Sequence, residues 1–260
     1  MTALVTGAGS GIGQRLGELL GGRGEQLIAL DLKFSDHVRA SLEQATGAGK
    51  VHFAEVDVRD GDAVKAAVEA GVEALGAPRL AINCAGVVIA KPFDETDEEE
   101  FRRVVDINLY GTRNVAAAVL PQLKGGGHLV LVASMAGFIA NYGYTAYCAS
   151  KFGVVGFAEV LRLEQKPHGV NVSVVAPPEV VTPMVEEERR SGSKITGQMK
   201  QFAGSMELEP AAREILKGID GGGFLIVPRL KGRSTLALGR FAPRRLTQAI
   251  SDRLLRQTQR

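Results

Sequence analysis

The chain has 260 residues, 45% hydrophobic and 5% aromatic, with 32 glycines, no tryptophan and a net charge of +2. That size and apolar content fit one α/β domain whose small residues suit close helix-on-sheet packing. Two cysteines, Cys84 and Cys148, exclude a disulfide framework. No apolar run reaches the roughly 18 residues of a membrane span. His37, His52, His128 and His168 are scattered without metal-ligand spacing. The expectation is a cytoplasmic protein with no leader segment and no metal.

The first predicted strand, Thr2 to Thr6, runs into Gly7-Ala8-Gly9-Ser10-Gly11-Ile12-Gly13, and Leu16, Leu19 and Leu20 then space as a helix face. Strand, glycine turn and helix together make an anion site. Glycines let backbone N–H groups approach a pyrophosphate, and the helix N-terminus adds partial positive charge. The glycines follow GxxxGxG at Gly7, Gly11 and Gly13, not GxGxxG. Gly7, Ser10, Gly11, Ile12 and Gly13 are the first candidate dinucleotide ligands.

A second strand, Gln26 to Asp31, ends in a carboxylate 18 residues past Gly13. An acid there accepts the ribose hydroxyls of NAD and repels the 2′-phosphate of NADP. NAD(H) is therefore favoured, with Lys33 keeping NADP(H) as the alternative. The third strand spans Val51 to Val56. Asp57, followed by Val58, either meets an adenine edge or caps the helix that starts near Asp60. Residues 62–75 place Val64, Val68, Val72 and Leu75 on one helical face.

The fourth strand, from Leu80, turns at Asn83-Cys84-Ala85-Gly86. The acidic run Asp94 to Glu100 opens a long helix over 97–121, where negative charge suits a helix start. That helix carries Asn108, an amide in an apolar stretch that must find buried partners. The fifth strand, His128 to Ala133, ends at Ser134, 13 residues before Tyr147. The sixth is Val170 to Val175. Residues 177–207 hold Pro177-Pro178, many charges and no clean period, and read as a substrate lid. A helix over 210–219 and a strand from Phe224 to Val227 follow. Strands alternating with helices argue one Rossmann-type doubly wound parallel sheet of about seven strands with helices on both faces.

Tyr147 and Lys151 are four residues apart, so on a helix over 146–166 their Cβ atoms lie about 5–6 Å apart on one face. An ammonium beside a phenol favours the phenolate and lowers its pKa from about 10. A phenol so tuned exchanges a proton with a substrate oxygen. Alone, a Tyr and a Lys at this spacing are more often two side chains snorkelling from a helix. The glycine turn, Asn83-Cys84-Ala85-Gly86 and Ser134 reverse that balance.

With Asn108 between them, these stretches carry a resemblance. Over roughly residues 2–228 the chain resembles the short-chain dehydrogenase/reductase family of NAD(P)-dependent Rossmann-fold oxidoreductases. The resemblance implies Tyr147 as catalytic acid/base and Ser134 as holder of the substrate oxygen. It implies Lys151 as pKa tuner and ribose ligand, and Asn108 as anchor of a water leading to Lys151. Asn83, Ala85, Gly86 and Pro177 join Tyr147 and Lys151 beside the cofactor. A homodimer or homotetramer paired through the two long helices is also implied. The turn Pro177-Pro178-Glu179 departs from the family's Pro-Gly, and Cys84 from its frequent Asn. The segment Leu161 to Pro183 resembles the 3-ketodihydrosphingosine reductase branch, which implies an alcohol or ketone substrate of apolar, lipid-like character.

Two other readings compete: a dinucleotide-binding regulator without turnover, and an epimerase or dehydratase of sugar nucleotides. The full set Ser134, Tyr147, Lys151 and Asn108 argues against the first, and the short chain against the second. Finally, Arg229 to Arg260 holds nine basic residues and one acidic, a net +8, which leaves −6 for residues 1–228. The predicted division is a catalytic domain over 1–228 and a basic helical extension over 229–260. Pro243 to Gln257 can form a helix with Leu246, Ala249, Ile250 and Leu254 on one stripe. It either packs on a neighbouring subunit or over the active-site mouth, or rests weakly on an anionic membrane surface; nucleic acid is not expected as a partner.

Overall fold

The computed structural model describes residues 1–123, 125–192, 195–197 and 205–228, with six positions between 236 and 256. Seven parallel strands form the main sheet: β1 (Thr2–Thr6), β2 (Gln26–Asp31), β3 (Val51–Glu55), β4 (Leu80–Asn83), β5 (His128–Val132), β6 (Asn171–Val175) and an edge strand, Leu225–Ile226. Their order is β3-β2-β1-β4-β5-β6 and then the edge strand. The direction of winding reverses between β1 and β4, which opens a crevice at their carboxyl ends.

Alternate residues of each strand enter opposite cores. Leu4, Ile28, Leu30, Ala81, Leu129 and Leu131 pack under α3 (Gly61–Leu75), α5 (Gly111–Leu123) and α6 (Thr145–Gln165). Ala3, Val5, Leu27, Ala29, Ile82 and Val130 pack under α1 (Gly11–Gly21) and α2 (Asp36–Thr46) and a helix over Leu208–Asp220. This period of two with both faces apolar is what a doubly covered parallel sheet requires. The expected architecture is present, and the element boundaries fall close to those read from sequence.

Three segments differ from expectation. The helix α2 occupies a stretch left unassigned. Its signals are present in sequence: Ser35 accepts the Val38 amide as N-cap, and Val38 and Leu42 form a short buried stripe. The long helix over 97–121 is not continuous. Asp97 and Glu100 build a capping box for α4 (Glu98–Val105), but Asp106–Tyr110 widens into a π-turn before α5 begins. There the Gly111 N–H reaches back five residues to the Asp106 carbonyl. The wider turn rotates Asn108 fully into the interior. The segment expected as a lid has structure of its own: β7 (Glu179–Val180) pairs in parallel with β8 (Ser205–Met206), and α7 (Pro183–Ser191) lies between them in the chain. The edge strand Leu225–Ile226 is accordingly β9, and the helix Leu208–Asp220 is α8.

Most of the predicted tail helix, and the question of what it touches, lie outside the described residues. Among the described residues no helix is long and apolar enough to cross a membrane, and no cluster of three or more His, Cys, Asp or Glu could hold a metal.

Candidate active site

The crevice is a cleft of about 630 Å³. Its floor is the β1 turn. Gly7 has φ +66°, and a Cβ on Gly13 would sit 2.1 Å from the Gly7 carbonyl, so only glycine lets α1 start this close. Ser10 makes no side-chain cap to the helix, so the first-turn amides of α1, which have no intrahelical partner, remain available to a ligand. At the β2 end, Asp31 Oδ2 accepts the Gly9 amide at 2.7 Å, which holds the carboxylate beside the turn. Val58 and Asp57 line the same end. Asp57 does not cap a helix: Asp60 caps α3, accepting from Asp62 and Ala63. Asp57 instead takes the Arg59 backbone amide at 2.9 Å and its guanidinium at 2.6 Å, which holds its carboxyl below the usual range.

This arrangement fits a dinucleotide. Uncapped helix amides would hold its pyrophosphate, Asp31 would accept from its ribose hydroxyls, and the glycines leave room for backbone approach. Gly7, Ser10, Gly11, Ile12, Gly13, Asp31, Asp57, Val58, Ala85, Gly86, Tyr147, Lys151 and Pro177 all line the cleft.

Two predicted site residues do not. Asn83 is buried behind the wall, where its Oδ1 accepts Thr6 Oγ1 at 2.5 Å and its Nδ2 donates to Thr112 Oγ1 at 2.8 Å. Its side chain locks β1 to β4 and to α5. Thr6 Oγ1 also accepts the Ala85 amide at 3.3 Å, so the network shapes the turn that does line the cleft. Asn108 is likewise wholly buried. Its Oδ1 accepts the Val87 amide at 2.8 Å, and its Nδ2 donates to the Val87 carbonyl at 2.9 Å and to Ser150 Oγ at 3.0 Å. Ser150 in turn donates to the Tyr147 carbonyl at 2.8 Å. Thus Asn108 ties the cleft loop at Val87 to the helix carrying Tyr147. Thr6, Thr112 and Ser150 were missed in sequence, because hydroxyls in apolar elements give no sign of their distant partners.

Ser134, Tyr147 and Lys151 meet on one wall. Lys151 is 5% exposed and donates to the Val132 carbonyl at 3.0 Å. Its Nζ lies 5.7 Å from the Tyr147 ring centroid. The expected lowering of the tyrosine by this ammonium is overturned. Burial pushes Tyr147 up to about 12, opposed by the Ser134 hydroxyl facing it. Burial also brings Lys151 down to about 8. Loss of solvation, which disfavours the charged form of each group, decides both directions. At Pro177-Pro178-Glu179 the Pro177 carbonyl accepts the Met135 amide at 3.0 Å, and Glu179 pairs with Arg189 of α7.

The family model for short chain dehydrogenases matches residues 1–192. The chain belongs to this family. A 3-dehydrosphinganine reductase of Arabidopsis thaliana is 34% identical over 85% of this chain and 68% of its own. A D-threitol dehydrogenase of Mycolicibacterium smegmatis is 38% identical over 69% and 70% of the two chains. A short chain dehydrogenase from Mycobacterium paratuberculosis, solved bound to NAD, superposes with a TM-score of 0.80 at 26% identity, covering 90% of this chain and 97% of that one. As a member of the family, the protein is an oxidoreductase.

Proposed function

We propose that the protein interconverts a secondary alcohol and a ketone on an apolar, lipid-like molecule, with NAD(H) preferred to NADP(H). The observation that carries this is the convergence of Ser134, Tyr147 and Lys151 on one cleft wall, beside a glycine turn at a helix N-terminus. In reduction the Tyr147 hydroxyl donates its proton to the carbonyl oxygen, while Ser134 holds that oxygen. In oxidation the phenolate takes the proton back. Lys151 places positive charge next to the phenolate as it forms. A nicotinamide dinucleotide, when bound, supplies or accepts the hydride.

The apolar character is supported by the lid end of the cleft, walled by Val88, Met135, Ile139, Val180, Met184 and Val185. The names of the sphinganine reductase relatives point the same way. The test is a screen of long-chain ketones and alcohols with both cofactors, run beside Tyr147→Phe. Loss of the hydroxyl should cost about 10²–10⁴-fold in rate with cofactor affinity kept. A phenylalanine variant with near-normal rate would remove Tyr147 from the mechanism.

The same reading includes a homo-oligomer and weak membrane contact through the basic tail. Support for pairing comes from α6, where Phe152, Val160 and Leu163 are 45%, 53% and 62% exposed and Gly156 faces open space. That apolar stripe fits a second copy in isologous contact. A 27.5 kDa particle in light scattering at micromolar concentration would refute the pairing. Failure of the full chain to sediment with anionic liposomes at low salt would remove the membrane contact.

A further inference from the structure

The chemistry derived above gives no role to Tyr144 or Glu188, although both line the cleft. Tyr144 stands one residue before α6 and is 4% exposed. Its hydroxyl donates to Glu188 Oε1 at 2.5 Å. Its ring meets that of Tyr147 edge-on, with centroids 5.2 Å apart at 65°. Its backbone is fixed as well: the Tyr144 carbonyl accepts the Cys148 amide at 2.6 Å, and the residue bridges to Lys91. Glu188 belongs to the lid helix α7 and is 9% exposed. One side chain therefore touches the lid at its tip and the Tyr147 ring along its face.

We propose that Glu188 and Tyr144 are a positioning pair that couples lid closure to the orientation of the Tyr147 phenol. The Tyr147 ring is steered from two sides, by Ser134 at its hydroxyl and by Tyr144 at its edge. Aromatic pairs favour this edge-to-face geometry. With Glu188 holding the Tyr144 hydroxyl, the Tyr144 ring keeps one rotamer, and Tyr147 keeps its aim at the substrate oxygen. With α7 away, that hydroxyl loses the Glu188 carboxylate that aims it.

The charge on Glu188 has a second effect, since it favours the protonated phenol and adds to the effect of burial. Among the described residues, Tyr147 is also faced by Tyr144, by Cys148 and Lys151 from its own helix and by Ser134 from the end of β5, while Cys84 from the end of β4 acts on Lys151. Beyond Glu188 lie Glu179 and Arg189, which pair with each other. The closed lid thus brings a carboxylate that holds the proton on Tyr147 until the carbonyl oxygen takes it.

The proposal rests on Tyr147 as the proton-exchanging group, so the test has one arm that needs no turnover. Hydrogen exchange over residues 184–190 is compared in the unaltered protein, Tyr144→Phe, Glu188→Ala and Glu188→Gln. Exchange should quicken in the Phe and Ala variants, and Gln, which keeps an acceptor, should restore protection. The second arm is kinetic, with a long-chain ketone as probe. A ring misplaced by a fraction of an ångström should lower kcat about tenfold in Tyr144→Phe, with the KM for cofactor unchanged. Glu188→Gln should move the pH limb belonging to Tyr147 to lower pH. The pair is overturned by unchanged lid exchange in Tyr144→Phe, by a loss confined to the KM for ketone, or by an unmoved limb in Glu188→Gln. Faster exchange in Tyr144→Phe without ketone turnover by the unaltered protein would strike the reaction and leave the lid contact standing.

Discussion

Asn108→Ala is the substitution whose cost follows most directly from geometry. The side chain has no exposure and makes three hydrogen bonds, two to the Val87 backbone and one to Ser150. Alanine leaves the Val87 amide and carbonyl without these partners. An unpaired buried polar group costs about 1–3 kcal/mol. Val87 is only half-buried in the cleft wall, and water entering the vacated space offsets part of the loss. The net is therefore roughly 2–4 kcal/mol, a large share of the 5–15 kcal/mol that typically holds a domain folded. At about 2–4 °C per kcal/mol for a chain of this size, the melting temperature should fall by roughly 5–15 °C. Turnover should fall too, because the Val87 loop walls the cleft and Ser150 no longer receives the amide that fixes it under Tyr147. Thermal unfolding followed by circular dichroism, beside kcat at 25 °C, measures both. A variant melting within about 2 °C of the parent would mean that Asn108 does not hold this loop.

Three further outcomes are expected. Asp31→Ser should erase most of the preference for NAD(H), since the repulsion of a 2′-phosphate and the ribose hydrogen bonds are worth about 1–3 kcal/mol, or roughly 5–150-fold in the ratio of kcat/KM; a preference for NADPH in the unaltered protein would contradict this and implicate Lys33. Because Tyr147 sits near 12, alcohol oxidation should rise with pH across the neutral range while ketone reduction stays level, and oxidation that slows with rising pH would oppose the assignment. His128 is held by Ser173 at 2.7 Å, and burial lowers its pKa, so the unfolded chain binds the extra proton: stability should be intact above about 6.5 and decline as pH falls below it. The acid-side slope of thermal stability should flatten in His128→Gln, and an equal slope in both proteins would clear His128 of the effect.

Local patterns in the chain were enough to read the sheet and the wall proposed to exchange the proton. Consecutive apolar residues such as Leu4 and Val5, or Ile28 and Ala29, point to opposite faces and leave a strand no stable place except between two helical layers. The glycines at 7, 11 and 13, Ser134, and the spacing of Tyr147 and Lys151 are local patterns with local causes, so they were legible without a fold. The tertiary structure decided what depends on partners far apart in the chain. It placed Asn83 behind the wall and not in it, through a hydroxyl 77 residues away at Thr6. It broke the long helix at Asp106–Tyr110 so that Asn108 could serve Val87 and Ser150. It reversed the expected direction of the Tyr147 shift. Spacing tells which charge is near, whereas the cost of removing water depends on everything packed around the phenol. It also brought Glu188 of α7 to Tyr144, 44 residues earlier, through the packing of two elements that no sequence period relates.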